Sequence, residues 1–286
     1  MANSKILKRK DIKPSDIKAN IYDSVEILID LHGITKLDME AAQEALKKIL
    51  PAEKYSMVDD SFDIDEINQY GDRNNLTQAT RKRYLDTESV IRFLSKDNTE
   101  VIIISRLFIG IRLYYEVAHT LKDNIELISD IITVFQGCDY FEIQRIAIAK
   151  RDSIYCSSLY RMYQCFDKKM FGDAGYEFKL NSNNKSIDTG VTKIYNNFTY
   201  EDVNVIVNKE IIQGELPDSG EEIFEGRLDT FTSTELLEDN VDVREILHKL
   251  NDISFEVFIC HIKDSFAREL VAGKSSKVRK GLNNYE

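Results

Sequence analysis

The chain contains no tryptophan, and its 286 residues include only 3 prolines, 12 glycines and 4 cysteines. So little proline and glycine excludes collagen-like, proline-rich and linker-repeat architectures. The absence of tryptophan removes the usual anchor of a carbohydrate site or a methyl-lysine cage. A hydrophobic fraction of 43% over this length indicates a globular protein with a substantial core and excludes a wholly disordered chain.

Long apolar segments are also missing. The longest apolar run, from Val101 to Ile111, is interrupted by Arg106 and stops at Arg112. It falls far short of the roughly 20 residues that cross a bilayer. The first residues of the chain run into charged positions and never reach the apolar core of a secretory signal. We therefore expect a cytoplasmic protein that makes no contact with a membrane.

The four cysteines lack the paired spacing of zinc sites and the density of secreted disulfide scaffolds. This pattern predicts reduced, mostly buried thiols. The four histidines match no metal-binding motif, and the chain has no nucleophile elbow or complete phosphate-binding loop. We therefore predict no metal ion and no cofactor. The catalytic residues are unknown, and the sequence favours a non-enzymatic protein while leaving open an active site assembled from distant segments.

Hydrophobic periodicity predicts an α+β fold. Alternation over 24–31 indicates a strand, and helical spacing up to Ile49 indicates a helix capped by Asp38. An antiparallel meander over 88–113 precedes an amphipathic helix over 116–135. Further strands are predicted over 140–148, 176–180, 190–194, 203–212 and 223–231, and one long amphipathic helix over 242–270. The expected architecture is a largely antiparallel sheet in two halves with covering helices, ending in that long C-terminal helix.

The same elements divide the chain into four predicted parts. These are a basic N-terminal arm over 1–20, an α+β half over 21–170, a second α+β half with the C-terminal helix over 171–272, and a basic tail over 273–286. Whether the two halves form one domain or two stays open.

Segment order provides one resemblance. The meander and helix from Glu88 to Tyr140, the strand Glu142–Ala149 and the stretch Leu247–Phe258 resemble a sporadically distributed family of bacterial proteins of unknown function. In that family a Tyr-Asn pair usually follows the strand arginine, whereas Ile146 follows Arg145 here. The resemblance covers roughly residues 88–270 and implies a cytoplasmic bacterial protein of about this length. It carries over no catalytic residue.

Acidic charge is concentrated in one segment. The formal net charge of −11 combines basic ends, +4 over 1–13 and +3 over 272–286, with a body of −18. Residues 214–242 alone have a net charge of −9. Such a segment is typical of a solvated face, and it can also attract a basic partner. We predict a protein partner there, in a defence or toxin-neutralising setting, bound by Glu221, Glu222, Glu225, Asp229, Glu238 and Asp239. A homodimer also stays open, because the apolar stripe of the last helix fits either self-association or the protein's own sheet.

An alternative rests on arginine and tyrosine side chains between residues 145 and 169. Such a mixture can stack on and neutralise single-stranded nucleic acid, which indicates an RNA- or DNA-binding factor or a nucleic-acid-processing enzyme. It equally fits a sheet rim, where apolar bodies pack and polar ends stay wet. The residues of this alternative are Arg145, Arg151, Tyr155, Arg161 and Tyr163.

Overall fold

A computed structural model describes residues 8–19, 22–58, 90–114, 121–167, 177–179, 186–188, 192–215, 222–236 and 242–273. Two short 3-10 turns, Arg9–Asp11 and Pro14–Asp16, come first. The helices are α1 (Lys36–Ile49), α2 (Leu121–Phe135), α3 (Leu159–Cys165), α4 (Val243–His261) and α5 (Asp264–Val271). The strands are β1 (Tyr22–His32), β2 (Tyr55–Val58), β3 (Ile91–Ser95), β4 (Glu100–Ile104), β5 (Phe108–Tyr114), β6 (Glu142–Cys156), β7 (Glu177–Lys179), β8 (Ser186–Asp188), β9 (Thr192–Tyr200), β10 (Val203–Glu215) and β11 (Glu222–Glu235).

Nine of these strands form one sheet in the order β2-β3-β4-β5-β1-β6-β11-β10-β9, and β7 and β8 pair separately. The pairings β2–β3, β3–β4, β4–β5, β9–β10 and β10–β11 are all antiparallel. The predicted α+β class and the largely antiparallel sheet are therefore confirmed. The strands after residue 190, which are β9, β10 and β11, belong to the same sheet as the earlier strands.

The chain clusters into two compact units, which we describe separately. Unit I comprises Met1–Val25, Ile148–Ser233 and His248–Glu286, and unit II comprises Glu26–Ala147 and Thr234–Leu247. Each unit therefore draws on segments that are distant in sequence.

The core of unit II follows from alternation along the meander. Ile102 lies opposite Phe93 in β3 and opposite Ile111 in β5, and all three side chains are almost completely buried. Helix α2 contacts both α1 and β5, and its apolar stripe runs from Ile125 to Phe135. The predicted meander and covering helix are both present.

In unit I, helix α4 packs on the β11 strand. Thr232 in β11 donates to the carbonyl oxygen of Leu250 in α4 at 3.2 Å, and its hydroxyl lies 3.1 Å from that of Ser254. Helix α3 approaches the same strand closely at Gly226, where an added Cβ would lie 2.3 Å from Met162 Sδ. A side chain at that position would require the Met162 or Phe166 side chain to move.

The start of α1 differs in detail from the prediction. Thr35, not Asp38, is the N-cap residue, and its hydroxyl oxygen accepts from the backbone N–H of Asp38 at 3.2 Å. Asp38 returns the interaction, because its carboxylate accepts from the Thr35 backbone N–H at 2.8 Å. The two residues form a capping box that satisfies two otherwise unpaired helix donors. Asp38 thus takes part in the cap from the third helical position.

The C-terminal helix is present but interrupted. The apolar stripe over 242–270 predicts one helix, whereas α4 ends at His261 and α5 begins at Asp264. Ile262 forms a β-bridge with Phe166, and the N–H of Lys263 donates to the Cys165 carbonyl oxygen at 2.9 Å. These partners compete with the helical hydrogen bonds, so tertiary contacts break a helix whose periodicity is continuous.

The structure also tests the predictions about membrane-spanning segments and about the cysteines. No described helix is long and apolar enough to span a membrane. All four cysteines are free, but only Cys156 is buried, since Cys138 and Cys165 are half-buried and Cys260 is exposed. The expectation that most thiols are buried is therefore wrong.

Candidate functional site

The acidic and the basic residues of the two rival predictions meet in unit I. Arg151 in β6 donates to Asp229 in β11 through two nitrogens, at 2.8 and 3.3 Å. Both side chains are about a quarter exposed. Forked pairing of this kind is strong and fixes the orientation of both groups. A partner that used either charge would have to break this pair.

Glu225 is held in a similar way. Its carboxylate accepts from the hydroxyl of Ser153 at 2.9 Å and from two nitrogens of Arg227 at 3.0 and 2.9 Å. Arg227 also lies 3.9 Å from Glu210. The sheet surface formed by β6, β11 and β10 thus carries an internal charge network, in which two of the six predicted acids, Glu225 and Asp229, are paired with arginines.

The other predicted partner residues are divided between two places. Glu222 is exposed and accepts a hydrogen bond from the side chain of Gln213. Glu221, Glu238 and Asp239 lie outside the described residues. Of the six predicted acids, Glu222 is therefore the described one that remains accessible.

The predicted nucleic-acid residues do not form one exposed basic surface. Arg145 in β6 donates to Asp30 at 2.7 Å. Arg161 is exposed in α3 and donates to Gln164, also at 2.7 Å. Tyr155 and Tyr163 are half-buried and engaged in contacts of their own. These residues are close in the sequence, but Arg145 and Arg161 bind different partners in the structure.

Three exposed aromatic side chains lie on β9, a strand that the sequence predicts only over residues 190–194. Tyr195, Phe198 and Tyr200 are 53%, 45% and 50% exposed. They occupy the last strand of the nine-stranded order, where no described strand pairs with the outer side. Because side chains alternate along a strand, Tyr195 faces one side of the sheet and the other two aromatics face the opposite side.

The backbone of β9 also has hydrogen-bonding groups that no described strand engages. A two-residue turn joins β9 to β10, with Tyr200 opposite Val203. In such a hairpin the pair that flanks the turn exchanges both hydrogen bonds, and the following pairs alternate. The N–H groups of Tyr195, Asn197 and Thr199 therefore point away from β10. An edge of this kind is a template for another strand.

A cavity of about 620 Å³ lies within unit II, between the end of α1, the β3–β4 hairpin and α2. Its volume is in the range of small-ligand sites. The cavity is lined by Ile49, Pro51, Glu53, Lys54, Tyr55, Ser95, Lys96, Asp97, Thr99, Glu100, Asp123, Asn124 and Leu127.

One carboxylate in this cavity is almost completely enclosed. Glu100 has a side chain that is 6% exposed, and it accepts from the hydroxyl of Tyr55 at 2.6 Å and from the ammonium of Lys54 at 2.9 Å. Burial, followed by the hydrogen bond to Glu100, raises the pKa of Tyr55 to about 12. Tyr55 therefore stays a neutral donor at physiological pH. The interaction of Lys54, Tyr55 and Glu100 is not predictable from a local motif, because Glu100 lies 45 residues from Tyr55.

A second buried polar cluster surrounds Lys150 in unit I. Its ammonium donates to the Asn251 side-chain oxygen at 2.5 Å and lies 5.3 Å from the ring centroid of Tyr22. Lys150 and Asp152 are 4% and 1% exposed. Burial lowers the pKa of Lys150 to about 8, against the opposing attraction of Asp152 and Asp252.

This shift predicts a pH-dependent contribution to stability. Between pH 8 and pH 10 the unfolded lysine binds a proton that the folded one has released, so stability rises with pH. Relative to Lys150→Met, the native chain should gain about 2 kcal/mol of unfolding free energy over this interval. Urea unfolding of both proteins at several pH values measures this difference. A difference that stays flat or falls with pH would contradict the prediction.

The described residues contain no cluster of three or more histidine, cysteine or acidic side chains able to hold a metal ion. Comparison of the chain with protein-family models and with curated protein sequences yields no match. The β9 edge and the unit II cavity are the candidate binding surfaces of the described residues.

Proposed function

We propose that the protein binds a second protein by strand addition at the outer edge of β9. The observation that carries this proposal is the exposure of Tyr195, Phe198 and Tyr200 on an edge strand. Strand addition obtains affinity from main-chain hydrogen bonds and specificity from alternate side chains. Aromatic residues supply large contact area at low cost in conformational entropy. Binding without chemistry agrees with the absence of catalytic motifs in the sequence.

The proposed partner offers an extended segment with alternating apolar residues and a net positive charge. The net charge of −11 favours a basic partner and disfavours a second copy of the same chain. β9 itself contains a single charged residue, Lys193, and no proline. Apart from Lys193, it lacks the charges and prolines that protect most edge strands from pairing. The acidic residue Glu222 adds to the long-range attraction without touching this edge.

We also propose a cytoplasmic location, membership of the bacterial family of unknown function and a role in defence or toxin neutralisation, all of which agree with a binding protein. Nucleic-acid binding through Arg151 and Arg161 is the alternative, and it predicts a mobility shift with RNA or DNA at low salt.

Replacing Asn197 by proline tests the proposal, because it removes an outward N–H while leaving the bonds to β10 intact. The matched control, Asn197→Thr, keeps the N–H and suits a strand. Proteins captured from the native host should be compared by quantitative mass spectrometry. We expect the partner to be lost with Asn197→Pro, at least tenfold, and retained with Asn197→Thr.

Amide hydrogen exchange then locates the contact. With the captured partner added, the N–H groups of Tyr195, Asn197 and Thr199 should become protected, since each gains a hydrogen bond. Retention of the same partner by Asn197→Pro, or protection elsewhere only, would overturn the proposal. A native chain that light scattering shows to be a dimer, and that Asn197→Pro makes monomeric, would identify a second copy as the occupant instead.

A further inference from the structure

The ammonium of Lys54 lies between a buried carboxylate and an aromatic ring in the unit II cavity. It lies 2.9 Å from the carboxylate of Glu100 and 4.9 Å from the ring centroid of Tyr55. A carboxylate and an aromatic face together are a common arrangement for binding alkylammonium ions. The backbone of Lys54 is fixed in the turn that follows Pro51, so only the side chain can leave this position.

The two sides of this ion pair differ sharply in exposure. The Lys54 side chain is 56% exposed, whereas that of Glu100 is 6% exposed. The solvated Lys54 side chain can therefore be exchanged for another ammonium group that keeps Glu100 paired, whereas its departure alone would leave a buried carboxylate without this cation. Glu100 cannot move, since the hydroxyl of Tyr55 and the Ser95 contact to the Glu100 backbone hold it in place. The fixed partner is the carboxylate, and the exchangeable partner is the ammonium.

Charge and shape in the rest of the cavity favour the same type of ligand. Four carboxylates line it against two lysines. Asp97 is ionised at neutral pH, since hydrogen bonds from Ser95 and then Thr99 lower its pKa to about 2. Ile49, Pro51 and Leu127 provide apolar wall for an alkyl chain. The cavity of about 620 Å³ is several times the volume that one ammonium group fills.

We propose that this cavity binds a primary alkylammonium group, with Glu100 and Tyr55 as its recognition residues and Lys54 as an internal competitor. The ligand's ammonium replaces that of Lys54 on Glu100 and lies over the Tyr55 ring, while its alkyl chain follows the apolar wall. The group can belong to a free amine or to a lysine side chain of another protein. This site is independent of the β9 edge.

Removal of the competitor provides the sharpest test. A tethered group competes at an effective concentration in the millimolar range, which weakens binding of a free ligand. Titration calorimetry with pentane-1,5-diamine should therefore show at least tenfold tighter binding to Lys54→Ala than to the native chain. Lys47→Ala is the matched control, because it removes a lysine of the same unit whose partner Glu44 is exposed. This control should bind as the native chain does.

Further variants assign the recognition residues. In the Lys54→Ala background, Glu100→Gln should abolish binding, Tyr55→Phe should preserve most of it, and Tyr55→Leu should reduce it by removing the ring. Circular dichroism melting shows which variants fold. If the Glu100→Gln variant does not fold, comparison of the Tyr55→Phe and Tyr55→Leu variants still tests the site.

In a second experiment, Nα-acetyl-lysine methylamide replaces the diamine, and tighter binding of either ligand identifies the source of the amine. Binding unchanged by Lys54→Ala, or equal in the Tyr55→Phe and Tyr55→Leu variants, would overturn the proposal.

Discussion

Replacing Gly33 by alanine should destabilise the protein by about 3 kcal/mol or more, through overpacking and backbone strain together. Gly33 directly follows β1, and its backbone φ is +85°. Residues with a side chain rarely adopt this conformation. A Cβ at this position would lie 1.5 Å from the carbonyl oxygen of Tyr140. That atom belongs to the backbone and cannot rotate away, so one of two chain segments must shift.

The chain provides a matched control in the same unit. Gly137 has no atom within 4 Å of the place where its Cβ would be, and its φ is not positive. Gly137→Ala should therefore change the unfolding free energy by about 0.5 kcal/mol or less, as surface substitutions usually do. Urea unfolding of the three proteins measures both effects. Equal stability of the Gly33 and Gly137 variants would show that the turn adjusts without cost.

Breaking the ion pair between Arg112 and Glu26 should cost about 3–5 kcal/mol, because the remaining charge would be buried without its partner. Arg112 donates from Nε to Glu26 at 3.0 Å, and the two side chains are only 8% and 7% exposed. Arg112→Met and Glu26→Leu are each expected to show this loss. The double variant should recover most of it, since both charges then leave the interior together.

The double-mutant cycle gives the coupling energy directly. The exposed pair between Lys36 and Glu40, at 3.9 Å, serves as the reference. Neutralising that pair should change stability by less than about 0.5 kcal/mol, because water screens both charges. Single variants of Arg112 and Glu26 that cost no more than the reference would contradict a buried role for the pair.

Periodicity predicted the fold class because most elements bury one face. Strand β1 extends one or two residues beyond the predicted range at each end, and α2 ends at Phe135 as predicted, while residues 116–120 of that predicted helix lie outside the described residues. The interruption at Ile262 was not predictable, since it depends on a bridge to Phe166, which lies 96 residues away. β9 was underestimated for a related reason. An exposed edge has no buried face, and its residues Thr192–Tyr200 therefore lack the alternation that marks a half-buried strand.

The candidate sites show the limit of reasoning from local charge. Arg151 and Asp229 lie 78 residues apart in the sequence, and the two binding hypotheses assign them to different surfaces. In the structure they form an ion pair between the neighbouring strands β6 and β11. A count of acids over 214–242 cannot show which are neutralised. The enclosure of Glu100 is likewise a product of two segments that lie 45 residues apart. Chemistry that arises from short motifs is visible in sequence, and chemistry that arises from packing is not.

The described N-terminal residues form hydrogen bonds with the last helix, α5. The N–H groups of Lys18 and Ala19 both donate to the carbonyl oxygen of Leu270, and the backbone N–H of Arg9 donates to Asp264. These contacts join residues separated by about 250 positions. Closing so long a loop is entropically costly and slow. During synthesis, the first segment must therefore wait until α5 has left the ribosome before unit I can be completed.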